Sequence, residues 1–125
     1  MKAARWFTWI GSIVLFATAI LHMAKFSHVE GLLQANAVGS SVAGIVKALW
    51  LIFAAEGIGV AIIALLASTI ERGGRILIMC GLIMAVNAVL LVKFLGLFVG
   101  VYVAIFVMLM FLAGGFLMGR QTAAR

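Results

Sequence analysis

Residues 47–93 of this 125-residue chain read KALWLIFAAEGIGVAIIALLASTIERGGRILIMCGLIMAVNAVLLVK. Two apolar runs, 47–67 and 76–93, flank the polar turn 68–75. A bilayer core about 30 Å thick needs about 20 residues of apolar helix, and each run meets or nearly meets that length. A connection this short makes the two helices antiparallel neighbours. The stretch therefore predicts a helical hairpin that crosses a membrane twice.

Outward from this hairpin, the apolar runs 6–25 and 98–118 add two more spans. Hydrophobic residues make up 67% of the chain and charged residues 10%. A soluble domain of this size has too little interior to hide so many apolar side chains. We expect an all-α integral membrane protein, with the whole chain forming a single up-down-up-down four-helix transmembrane bundle. The predicted connections are the polar stretch 27–42, the turn 68–75 and residues 94–97.

The basic residues separate by type between the two ends of these spans. One end carries Lys2 and all five arginines: Arg5, Arg72, Arg75, Arg120 and Arg125. The opposite end carries Lys25, Lys47 and Lys93. The positive-inside rule then predicts that the arginine end and both termini are cytoplasmic, in a bacterial inner membrane. It also accounts for the net charge of +6 without a nucleic-acid partner.

A secretory signal is the alternative interpretation of the first run. Lys2 and Arg5 would form its basic region, and residues 17–19 would fit a cleavage site. We favour a span, because Ile20 and Leu21 continue the apolar run past that site.

Glu56 and Asn87 are polar residues placed deep in the predicted spans. At 1.5 Å per residue, Glu56 lies about 13 Å from the boundary marked by Lys47, and Asn87 about 9 Å from the boundary marked by Lys93. Similar depths on adjacent helices predict a contact between them. A carboxyl group there is protonated, paired, or exposed to a water-filled cavity. The functional interpretation is a proton-coupled or cation-binding site, and the structural one is a hydrogen bond that holds two helices together.

The embedded polar residues that we considered lie at the lysine end or near the midplane. This placement predicts a one-sided, outward-facing polar pocket that binds, or transports, a small polar or amphipathic ligand. The pocket would be lined by His22, Lys25, Lys47, Glu56, Asn87, Lys93 and Tyr102. The sequence contains no Ser-His-Asp arrangement, HExxH motif, P-loop or metal-ligand cluster, so we predict no catalytic residues and no metal site.

Two other functions stay open at this point. One is an accessory or anchor subunit of a larger membrane complex, associated with haem or quinone, in which His22 would be the haem ligand. The other is a small membrane enzyme that acts on a lipid-soluble substrate with His22 or Glu56 as acid–base group.

Small residues four apart allow close approach between membrane helices. Gly115-x-x-x-Gly119 and Gly81-x-x-x-Ala85 have this spacing, and would mediate self-association or partner binding if they faced lipid. In size and span count the chain is similar to the small multidrug resistance exporters, which also use a membrane glutamate. Their carboxylate lies in the first span, whereas Glu56 lies in the second, so no site residue is transferred.

Overall fold

The structure is a computed structural model that describes residues 2–123, with side chains up to Gln121. Within that range the chain forms five helices. They are α1 Lys2–Ala24, α2 Phe26–Ala35, α3 Ser40–Ala67, α4 Gly74–Leu95 and α5 Val99–Ala123. Four helical segments of the described range are long and apolar enough to cross a membrane: Lys2–Ala35, Ser40–Ala67, Gly74–Leu95 and Val99–Gln121. The predicted all-α fold with four spans is confirmed, and the chain is a small multi-pass membrane protein. Arg125 lies outside the described residues.

The predicted connection over 27–42 is wrong, because most of it is helical. Val29, Leu32 and Leu33 recur at helical spacing, and no proline interrupts them. Lys25 separates α1 from α2, yet its N–H still bonds the carbonyls of Leu21 and His22. The true connection is limited to residues 36–39, where Ala37 has a φ of 50°. The first span and α2 therefore form one nearly continuous helical segment.

The helices pack in the order α3, α1, α5, α4. α1 contacts both α3 and α5, α4 packs closely on α5, and α4 contacts α3 far less extensively. Close approaches give the direction of each pair. On α1 and α3, His22 stacks on Trp50 while Ala19 lies against Gly57. On α1 and α5, Gly11 lies against Phe111 while Thr8 lies against Gly114. The order closes an antiparallel bundle whose loosest contact is the seam between α3 and α4.

Alanines and a few larger apolar side chains fill the interior of the bundle. Phe111, Leu77 and Val107 are fully buried, while α3 contributes alanines that include Ala61 and Ala64. Many larger apolar side chains face outward instead. They include Trp6, Ile13, Leu49, Met79, Leu109 and Phe116. In lipid the helices associate through close packing rather than through hydrophobic burial, so this distribution fits a membrane bundle.

Gly115 and Gly81, from the two small-residue patterns, let α4 and α5 pack closely. A Cβ atom added at Gly115 would lie 2.7 Å from the carbonyl oxygen of Gly74, and one added at Gly81 would lie 2.8 Å from Leu112. A Cβ at Gly119 would meet nothing within 4 Å. Gly115 and Gly81 thus face the interior of the chain, and self-association through them would require α4 and α5 to separate.

Candidate functional site

Asn87 and Glu56 form a hydrogen bond that bridges α4 and α3. The amide nitrogen Nδ2 of Asn87 donates to Oε1 of Glu56 at 3.0 Å, and the bond is half-buried. The contact predicted from their depths is confirmed. It lies on the α3–α4 seam, where the helices pack least extensively. The bond therefore joins the two helices at the weakest side of the bundle.

The surroundings of Glu56 hold no positively charged partner for it within residues 2–123. Within residues 2–123 its hydrogen-bond partner is the neutral amide of Asn87, and no lysine, arginine or histidine pairs with it. An ionised side chain at the centre of a membrane helix costs about 2.5–3.5 kcal/mol. A proton or a bound cation would remove that cost. The amide of Asn87 supports either state, because it can donate to a carboxylate and also accept from a carboxylic acid.

His22 lies in an aromatic cluster between α1 and α3. Its ring stacks on Trp50 with centroids 3.7 Å apart and planes 13° apart, and the ring of Phe53 lies at 5.6 Å. Nε1 of Trp50 donates to the backbone oxygen of His22 at 2.8 Å. Nε2 of His22 is buried and has no hydrogen-bond partner within the described residues. Trp50 was not predicted as a partner of His22, although the similar heights of the two residues on different spans were an available signal.

The remaining predicted site residues do not join these two groups. Lys47 forms an ion pair with Glu30, which ties α3 to α2. Lys47 and Glu56 are nine residues apart on α3, and about 100° per residue puts them on opposite faces of the helix. They therefore cannot line the same side of α3.

Lys25, Lys93 and Tyr102 lie at the surface of the bundle. Lys25 is exposed, Tyr102 is 60% exposed, and Nζ of Lys93 lies 5.5 Å from the centroid of the Phe94 ring. The structure thus brings Glu56 together with Asn87, while His22 and Lys47 have partners of their own. It does not gather the seven predicted residues into one pocket.

Two buried polar residues in the arginine half were missed by the sequence analysis. Thr8 is fully buried, and its Oγ1 donates to the Ala4 carbonyl at 3.0 Å. Ser12 is 1% exposed, and its hydroxyl has no hydrogen-bond partner within residues 2–123. The expectation that embedded polar groups lie in the lysine half or near the midplane, and not in the arginine half, is therefore wrong. The signal was their spacing, since Thr8, Ser12 and Leu15 fall on one face of α1.

No metal site forms in the part of the chain that the structure describes, where no three His, Cys, Asp or Glu side chains come together. Comparison with known protein families, curated proteins and solved structures found no match to this chain.

Proposed function

We propose that this protein binds a small amphipathic cation at the Glu56–Asn87 pair, in exchange for a proton. One observation carries the proposal: a half-buried carboxyl group in the membrane whose partner is a neutral amide on the neighbouring helix. We place the site in a bacterial inner membrane with the arginine end in the cytoplasm, as the distribution of basic residues predicts.

The hydrogen bonding of Glu56 allows a proton and a cation to alternate at its carboxyl group. Asn87 fixes Oε1, while Oε2 makes no hydrogen bond within the described residues. That second oxygen is available either for a proton or for a cationic group. Since the two occupants compete for one negative charge, binding of the cation should release a proton. Binding should accordingly weaken as the solution becomes more acidic.

The surroundings of the pair are apolar. Ile52 lies one turn from Glu56 on α3 and is 61% exposed, and Ile83 lies one turn from Asn87 on α4 and is also exposed. A ligand that reaches the carboxyl group along the seam therefore meets aliphatic side chains first. This favours a cation that carries its own apolar groups over a small hydrated ion, which would lose its water without replacement.

Calorimetric titration of the purified protein with the lipophilic cation tetraphenylphosphonium tests the proposal. Glu56→Gln removes the charge and keeps an oxygen that can accept from Asn87, so it should abolish binding while the fold persists. Glu30→Gln is the matched control, because Glu30 pairs with Lys47 on another face of α3. Wild type and the control should bind with proton release. Equal binding by Glu56→Gln, or wild-type binding no stronger than partition into protein-free micelles, would refute the proposal.

A second candidate rests on His22. A buried histidine nitrogen without a partner calls for an explanation, and Nε2 is such an atom. In an accessory subunit of a larger complex, a haem iron or a quinone oxygen that reaches this atom would supply the missing partner. Absorption in the Soret region, or quinone in an organic extract of the purified protein, would support this candidate. The absence of both would exclude it.

A further inference from the structure

An apolar groove lies between α4 and α5 at the lysine end of the bundle. Its volume is about 450 Å³, and it is lined by Ala85, Ala88, Val89, Val92, Lys93, Ile105 and Met108. Ala85, Ala88 and Val92 fall on one face of α4 and form one wall, while Ile105 and Met108 of α5 form the other.

The groove lies on the lysine side of the close glycine contacts between α4 and α5. Gly74 and Gly81 let the two helices approach closely in the arginine half and near the midplane. Nearer the lysine end, the residues of α5 that line the groove are the larger Met108 and Ile105. We call the space between the two walls the slot, which is open at the surface of the bundle.

Lys93 is the charged residue of this lining. It lies in the last turn of α4, which ends at Leu95, and its side chain is exposed. Within residues 2–123 no carboxylate pairs with it, whereas Lys47 at the same end pairs with Glu30. Its other contact is with the neutral ring of Phe94, and an ammonium group that no carboxylate neutralises attracts anions at the membrane interface.

We propose that this groove binds an anionic phospholipid, with one acyl chain in the slot and the headgroup phosphate at Nζ of Lys93. The charge of Lys93 complements the headgroup, and the apolar walls complement the chain. Lipid tails are as apolar as the walls, so the chain gains little energy from leaving the bilayer. Selectivity between lipids therefore comes from the charge. The site is separate from Glu56 and does not depend on the function proposed above.

Native mass spectrometry of the purified full chain, titrated with phosphatidylglycerol or phosphatidylcholine, tests this proposal. Wild type should bind phosphatidylglycerol more tightly, and Lys93→Gln should weaken that binding about five-fold. Lys25→Gln is the matched control, since Lys25 is an exposed lysine at the same end that does not line the groove. It should bind as wild type does. An equal loss in both variants, or no preference for the anionic lipid, would overturn the proposal.

A second pair of variants tests the slot itself. Ala85→Phe puts a ring into the groove and should reduce phosphatidylglycerol binding. Val86→Phe adds a ring at the next position, which is exposed and does not line the groove, and should leave binding unchanged. Inorganic phosphate should compete poorly, because it has no chain to place in the slot. Full competition by phosphate, or equal binding by the two phenylalanine variants, would contradict a lipid in this groove.

Discussion

Gly115→Ala tests a close backbone contact between α4 and α5. The added Cβ would lie 2.7 Å from the Gly74 carbonyl oxygen, 2.8 Å from Cγ1 of Ile78 and 3.1 Å from the Ile78 backbone nitrogen. Two of these atoms belong to the backbone of α4 and cannot rotate away, so the helices must separate. Overpacking of this kind costs about 1–3 kcal/mol, and the higher helix propensity of alanine returns about 0.5–1 kcal/mol. We expect a net destabilisation of about 1–2 kcal/mol.

Gly119→Ala supplies the control within the same small-residue pattern. A Cβ at Gly119 meets nothing within 4 Å, so the propensity gain should act alone and raise stability by about 0.5–1 kcal/mol. Reversible unfolding in mixed micelles, followed by circular dichroism against the mole fraction of sodium dodecyl sulfate, measures both variants. The two free energies of unfolding should differ by about 2 kcal/mol. If Gly115→Ala were as stable as Gly119→Ala, the close approach of α4 and α5 at this point would be refuted.

Two further measurements test the site and the topology. A double-mutant cycle of Glu56→Ala and Asn87→Ala should give a coupling energy of about 0.6–2 kcal/mol by the same unfolding assay, and a value of zero would contradict the hydrogen bond. A cysteine in place of Ser40 should react with an impermeant maleimide added to intact cells, and a cysteine in place of Arg72 should react only in inside-out vesicles. The native Cys80 is buried and should stay unlabelled. Labelling of both positions from one side would overturn the predicted orientation.

The sequence predicted the spans and one specific contact because both depend on distance along a helix. The length of an apolar run follows from the membrane thickness. The depth of Glu56 and of Asn87 follows from the rise per residue, and two polar groups at one depth have few other partners in lipid. The pairing of α3 with α4 was also expected, since the connection between them is short.

The rest of the site could not be predicted, because it depends on how each helix is rotated about its own axis. Depth alone grouped Lys47 with Glu56, although nine residues of helix place them on opposite faces. The ion pair of Lys47 depended on α2, which was expected to be a loop and instead brings Glu30 alongside α3. The stacking of His22 on Trp50 depends on how α1 and α3 rotate against each other, and many alanines and glycines on both helices leave that rotation open to sequence reasoning.

The connectivity explains why the α3–α4 seam is the side of the bundle where a ligand would act. At the arginine end, the turn 68–73 joins the two helices and packs Gly73 against the backbone of Ala67. At the lysine end nothing joins them directly, because α3 begins after α2 and α4 continues into α5. Separation of α3 from α4 there would break the Glu56–Asn87 bond yet leave the contact between Gly74 and Gly115 intact. A cation proposed to bind at Oε2 of Glu56 would therefore enter on the side of the bundle that can open without unpacking the core.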